Sequence, residues 1–152
     1  MLMAEIRPPL PAELDKLFAL DHHVFGAQCF GSATMRQFFD IAGPLLQVAV
    51  EGGALIAYGL VLPAADPGVG WLMALAVDPD QRGAGLGEAV LEILLDQTAR
   101  HDIKVVRLTV APENHAAISL YERFGFTEER REEQYFGPGK DRIIMSREGG
   151  LA

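Results

Sequence analysis

The chain contains one cysteine, Cys29, so no disulfide can form within it. A packed core has to hold the fold, and such sparing cysteine use suits a reducing cytoplasm. Basic residues are in the minority: 13 Lys and Arg stand against 21 Asp and Glu, a net charge of −8. Nucleic acid as the main partner would call for a basic face, so that class is set aside. The acidic balance serves solubility first, although it is compatible with a cationic substrate such as an amine. No apolar run reaches the roughly 18 residues of a membrane-spanning helix. The longest, ALIAYGLVLPAA, follows Glu51, Gly52 and Gly53 and carries Pro63. The start, MLMAEIRPPL, lacks the basic region and apolar stretch of a signal peptide. These absences lead to the expectation of a soluble, cytoplasmic protein with no membrane partner. Repeats and low-complexity segments are absent as well, and 152 residues suffice for one domain with its own core, residues 1–152.

Hydrophobic spacing predicts the elements. Residues 11–24 read as a helix, with Pro11 in its first turn and Leu14, Leu17, Phe18 and Phe25 at helical spacing. Residues 33–42 read as a second helix, with Ser32 as N-cap and Gly43 past its end. The apolar runs 46–51 and 54–63 flank Gly52-Gly53 and predict a hairpin. Residues 70–77, GWLMALAV, are apolar enough for a strand buried on both faces. Residues 86–100 form a strong amphipathic helix and 104–110 a strand. Asn114 caps a further helix that turns Ala117, Leu120, Tyr121 and Phe124 inward and stops at Gly125. Residues 126–136 and 141–147 read as two strands joined around Gly137-Pro138-Gly139. The expected class is α+β: a central mixed sheet with helices on its faces.

The stretch LAVDPDQRGAGLG, residues 75–87, runs from a strand through a glycine-rich turn into the 86–100 helix. Helix starts leave backbone N–H groups free and carry positive dipole ends, so they favour anions. Glycines let a phosphate approach the backbone. The glycines fall at 83, 85 and 87. A dinucleotide fingerprint needs Gly at 88, where Glu88 stands, and a Walker loop needs Gly-Lys followed by Ser or Thr. Both nucleotide readings weaken. A plain connecting turn remains open on the loop alone.

A second motif lies about 30 residues on. Arg82-Gly83-Ala84-Gly85-Leu86-Gly87 fits R-x-x-G-x-G, and PENHAAISLYERFGF follows it with Asn114, Ala117, Leu120, Tyr121, Gly125 and Phe126. The pair resembles the GCN5-related N-acetyltransferase (GNAT) superfamily, whose signature is that loop plus N-x-x-A-x-x-L-Y-x-x-x-G-F. The resemblance is densest over residues 71–126. Its closest pattern is that of the ribosomal-protein alanine N-acetyltransferases. It implies a mostly antiparallel mixed sheet of six to seven strands with about four helices.

The resemblance also implies chemistry. Arg82, Gly83, Ala84, Gly85, Leu86 and Gly87 would surround the pyrophosphate of acetyl-CoA. The backbone at Leu75 and Val77 would pair with the pantetheine arm, where the family splays its central strands apart. Asn114 and Ala117 would border the cofactor. Tyr121 would protonate the departing thiolate, a role that suits a phenol neutral at pH 7. The reaction would be direct attack of a primary amine, on a small molecule or a protein N-terminus, with a homodimer left open. A catalytically reduced CoA-binding sensor or interaction module is the competing reading, because a familiar base is missing. Strand 70–77 has no carboxylate, and Leu108-Thr109-Val110 stands where the alanine acetyltransferases carry L-E-V.

The tail REEQYFGPGKDRIIM resembles that subgroup's R-x-N-Y-Y-P…D-A-I-I-M hairpin, with Tyr135 and Phe136 for the paired aromatics. The resemblance makes these two acceptor-binding; ordinary cross-strand packing is the alternative. Asp21, His22 and His23 end the first helix and read as exposed polar residues. Histidine is a plausible base at neutral pH, but the adjacent pair does not read as a metal site. Cys29 has no Cys-His-Asp arrangement for covalent catalysis. EERREE, residues 128–133, alternates along a strand and reads as solvated; Glu129 and Glu133 could otherwise form an acidic rim for a cationic acceptor.

Overall fold

The computed structural model describes residues 3–149. One seven-stranded sheet runs through them in the order β1-β2-β3-β4-β5-β7-β6. Its strands are β1 (Glu5–Arg7), β2 (Leu46–Glu51), β3 (Ala54–Pro63), β4 (Val69–Val77), β5 (Val105–Val110), β6 (Thr127–Glu132) and β7 (Arg142–Glu148). Only β4 and β5 pair in parallel; every other pairing is antiparallel. The helices are α1 (Leu14–Phe25), α2 (Ser32–Ala42), α3 (Leu86–Arg100) and α4 (His115–Arg123). The expected α+β class, the strand number and the four helices all hold. None of the helices among the described residues is long and apolar enough to cross a membrane.

Several boundaries differ from expectation for local reasons. Pro11–Glu13 forms a 3-10 turn, and the α-helix starts at Leu14. The N-cap of α2 is Gly31 (φ 83°), not Ser32, which is the first helical residue and caps nothing. β1 was not legible because three residues are too short to carry a period. It is secured by Arg7, whose guanidinium donates to both Glu13 oxygens at 2.8 and 2.9 Å. That bond, with one from the Leu10 N–H, lowers the Glu13 carboxyl to about 2. β6 ends at Glu132, so residues 133–141 form a connecting loop where a longer hairpin was expected.

β3 is the hinge of the packing. Side chains alternate across a strand, and consecutive residues of β3 meet opposite layers. Tyr58 is fully buried and donates its hydroxyl to Asp21 Oδ1 of α1 at 2.7 Å. Burial, then the Asp21 hydrogen bond, pushes that phenol upward, so it stays a donor. Asp21 Oδ2 accepts the Phe30 N–H at 2.9 Å, which fastens the α1–α2 connection. Asp21 is therefore buried, at 1% exposure, and not the exposed helix-end residue that the sequence implied. On the other face, a Cβ at Gly59 would lie 2.5 Å from Leu94 Cδ1 and 2.9 Å from Val90 Cγ1 of α3. A side chain there would hold α3 away from the sheet, so this glycine sets the depth at which the helix docks.

β4 shows what a sequence of apolar residues concealed. Leu72, Ala74 and Ala76 are buried, while Trp71, Leu75 and Val77 are only half-buried and Met73 is exposed. The strand is covered on one face, not two. Met73 is also skipped in the register: Leu60 opposes Ala74 and Val61 opposes Leu72. Such a bulge bends a strand and increases its twist.

Two substitutions test this packing. Tyr58→Phe leaves a buried Asp21 oxygen without its donor and is expected to cost about 1–3 kcal/mol in urea denaturation. Gly59→Ala is expected to cost a similar ~1–3 kcal/mol by overpacking, with an unchanged transition midpoint as the result that contradicts close docking of α3.

Candidate active site

The site begins where strand pairing fails. β4 and β5 pair only over Val69–Trp71 and Val105–Arg107. Beyond them β4 keeps β3 on one side, through Val77 opposite Ala57, but has no strand on the other. β5 keeps β7 through Val110. The two strands part after Trp71 and Arg107, so the splay that the resemblance implied is present. Backbone polar groups along an unpaired edge need partners, and an amide-bearing chain laid in the wedge would supply them.

A cleft of about 880 Å³ occupies the wedge. Leu75 and Val77 line it, followed by Arg82, Gly83, Gly85, Leu86 and Gly87 at the start of α3. Gly85 is the N-cap of α3 in the left-handed region, φ 80° and ψ 16°. No side chain caps this helix end, and the first turn's N–H groups have no intrahelical partner. The cleft therefore meets free donors and the positive end of a fifteen-residue helix. Ala84, also expected there, is exposed and does not line the cleft. Arg82 is exposed at its edge.

α4 forms the opposite wall. Asn114 caps it by accepting the Ala117 N–H at 3.2 Å, and both residues line the cleft. The inward face of α4 contains no fully buried residue, because that face is the wall of an open space. Arg123, not anticipated, lines the same cleft and bonds Glu88 of α3 at 3.2 Å. Ala116, Ser119 and Arg123 share one helix face, and that 3-4 spacing was the available signal.

A second cavity of about 620 Å³ adjoins the first. Phe25, Leu75, Asn114, Ala117 and Tyr121 line both. Tyr121 thus stands where the two meet. Burial alone pushes its phenol up to about 12, which keeps it protonated at neutral pH and makes it a donor. Its ring packs edge-on against Phe126 at 5.7 Å, which fixes its direction. Thr109 lines the second cavity, so the position that lacks a carboxylate does face this space.

Other expectations separate. Phe136 lines the second cavity, whereas Tyr135 does not; the rings meet edge-on at 4.7 Å within the 133–141 loop, so cross-strand packing does not explain them. His22 and His23 are exposed and line neither cavity; His23 lies 3.9 Å from Asp78 instead. Glu129 and Glu133 form no acidic rim there. Glu129 takes a hydrogen bond from Ser146 and one from Arg107 at 3.0 Å, which hold its carboxyl below the ordinary value. Cys29 is half-buried and lines neither cavity.

Comparison with known proteins agrees with this geometry. The family model described as Acetyltransferase (GNAT) family matches residues 12–126. A mycothiol acetyltransferase of Geodermatophilus obscurus is 40% identical over 95 residues, 59% of this chain and 30% of that protein. The ribosomal protein bS18-alanine N-acetyltransferase of Escherichia coli K12 is 34% identical over 99 residues, 63% of this chain and 66% of that protein. The chain thus matches less than a third of the mycothiol enzyme and about two thirds of the ribosomal-protein enzyme. The crystal structure of the Escherichia coli ribosomal-protein-S18-alanine N-acetyltransferase superposes with a TM-score of 0.82 at 26% identity, covering 99% of this chain and 96% of that one. With the family model spanning both the glycine loop and the Asn114–Phe126 helix, this chain belongs to the GNAT acetyltransferase family.

Proposed function

We propose that this protein is an acetyl-CoA-dependent N-acetyltransferase that acts on a primary amine, as a single domain in the cytoplasm. The observation that carries the reading is the meeting of two cavities at Tyr121, the first of which the reading assigns to the acyl donor and the second to the acceptor. The donor cavity suits a CoA-type group on its own features: an unpaired β4 edge, free N–H donors at α3, and glycines at 83 and 85 whose Cβ positions are open or nearly so. Leu75 and Val77 would hold the amide-rich arm. Arg82 and the Gly83–Gly87 backbone would hold the pyrophosphate, with Ala84 serving through its backbone alone. Arg123, already paired with Glu88, adds a second guanidinium to the same wall. Asn114 and Ala117 would border the thioester end, and Phe136 the acceptor end; Tyr135 would support Phe136.

Acetyl-CoA, when bound, supplies an activated acyl group. The acceptor nitrogen attacks the carbonyl carbon, a C–N bond forms and the C–S bond breaks. Tyr121 donates its proton to sulfur, and the proton lost by nitrogen passes to solvent and restores the phenol. No carboxylate or histidine lines the acceptor cavity, so the amine enters already neutral or loses its proton to water. The competing sensor reading rests only on the missing base, whereas a buried neutral phenol at the junction of the two cavities supports turnover. Pairing into a homodimer remains part of the proposal only as the family implies it.

Tyr121→Phe is expected to lower kcat on the order of 100-fold while leaving the calorimetric affinity for acetyl-CoA nearly unchanged. Unchanged turnover would remove Tyr121 from the chemistry. Gly85→Val forces a branched residue to φ 80°, a cost of about 1–3 kcal/mol, and is expected to weaken acetyl-CoA binding about tenfold. The pH profile has a defined sign. The raised phenol, at about 12, stays protonated across the working range, so kcat/KM should climb with the neutral fraction of the acceptor amine. A falling limb below about pH 10 would contradict Tyr121 as the acid.

A further inference from the structure

The acceptor cavity has the opposite charge to the protein. The chain carries −8 overall and 21 acidic residues, yet none of them lines this cavity. Its only formally charged side chains are Lys140 and Arg142. Neither forms an ion pair with a described carboxylate. Arg142 is half-buried; its guanidinium carbon lies 5.1 Å above the Phe136 ring, and Nη1 donates to the Asp141 carbonyl at 2.7 Å. The remaining guanidinium donors are unassigned, on a group whose orientation the stack already fixes.

Lys140 lies on a loop ordered by its own bonds, and Arg142 opens β7 just after it. Asp141 Oδ1 accepts the Gln134 N–H at 2.8 Å. The Lys140 carbonyl accepts the Phe136 N–H at 3.2 Å, and the Lys140 N–H donates to Gly137 at 3.0 Å. Lys140 is therefore presented from a tied turn, and Arg142 from the start of the strand that follows it.

Two departures from the resembling pattern fall in this one space. Thr109 stands where L-E-V has glutamate, and Arg142 stands where D-A-I-I-M has alanine. One removes a negative charge and the other adds a positive one. An acceptor with a second cationic group would be repelled there, whereas a carboxylate matches the planar guanidinium bidentately.

Resting on the transferase reading, we propose that Lys140 and Arg142 form a carboxylate-recognition subsite, so that the acceptor is an α-amine borne by an anionic molecule. The same cations favour the neutral amine beside them, which suits a cavity without a base. The α-amine of a peptide N-terminus, with a reference pKa of about 8, also has far more neutral form at pH 7 than a lysine side chain at about 10.4. The carboxylate belongs either to a free amino acid or to an acidic residue near a peptide N-terminus.

The test is a CoA-release assay on the full chain with three matched sets of acceptors. Free amino acids are compared with their amides, short peptides with Asp or Glu at the second residue with Asn or Gln counterparts, and diamines serve as the cationic set. The expected result is a preference of at least about tenfold in kcat/KM for the carboxylate member of one of the first two sets, and which set responds identifies the source. Arg142→Ala, with Lys140→Ala added, is expected to erase the preference chiefly through KM, while acetyl-CoA affinity and the thermal midpoint stay near wild type; Arg142→Lys should restore part of it. Equal rates for acid and amide, preference for diamines, or a preference that survives both substitutions would overturn the subsite. Should no amine be acetylated, the transferase reading falls separately. Calorimetric titration of N-acetylated amino acid into the CoA-saturated chain then still decides: saturable binding lost in Arg142→Ala supports the subsite, and no binding, or binding that survives in Arg142→Ala, overturns it.

Discussion

The loss of pairing between β4 and β5 after Trp71 and Arg107 is the constraint on which the rest of the site depends. A continuous sheet would bury the edge of β4 and leave no room for a ligand between layers. A bulge at Met73 lies just beyond the last paired residue of β4, and β7 stays paired with β5 on the other side. Backbone groups that a sheet would normally satisfy internally are thereby left for something else to satisfy. The same divergence opens the second cavity and brings Thr109 to its wall.

Two rigid elements keep the wedge from collapsing. α3 is pressed onto the sheet at Gly59, which fixes where its donor-rich N-terminus sits relative to Val77. α1 is fastened by Asp21, whose carboxylate joins the Tyr58 hydroxyl to the Phe30 backbone. Phe25 and Phe30, at the two ends of the α1–α2 connection, line the acceptor cavity. A buried polar cluster in the core thus shapes the substrate wall without touching the reacting atoms. Such a cluster is tolerable because its members have partners; no buried side-chain polar atom among the described residues lacks one.

The cleft is divided electrically as well as spatially. The first cavity presents backbone dipoles, Arg82 and Arg123. The second cavity is mostly apolar, with one cation on the tail loop and one at the start of β7. Tyr121 stands where the two cavities meet, its phenol kept neutral by burial. Glu129, with Arg107 and Arg130, shows where acidic residues of the tail spend their charge: in pairs on the outer strand, away from the chemistry.

Local signals carried much of this into the sequence. Glycine spacing and a helix start announce an anion site, and the Asn114–Phe126 spacing announces a capped helix with Tyr121 on its inner face. These are properties of consecutive residues, so they survive without a fold. Boundaries at Ser32 and Leu14 were less legible because glycine and proline allow a turn to shift by a residue or more. β4 misled in a more instructive way. Its apolar residues read as doubly buried, yet one face lines a cleft, and hydrophobicity alone cannot distinguish a core from a pocket wall.

The sequence by itself determined the class of fold and the place of the glycine loop at the start of a helix, because period, capping and glycine placement act within a few residues along the chain. Only the tertiary structure decided what shares a cavity. Thr109, Phe136, Lys140 and Arg142 come from two strands and a loop, and Asp21 meets Tyr58 across 37 positions. The net charge of −8 was compatible with a cationic acceptor, but a substrate responds to the charges within a few ångströms of it. Long-range packing chooses those charges, and here it chose two positive ones.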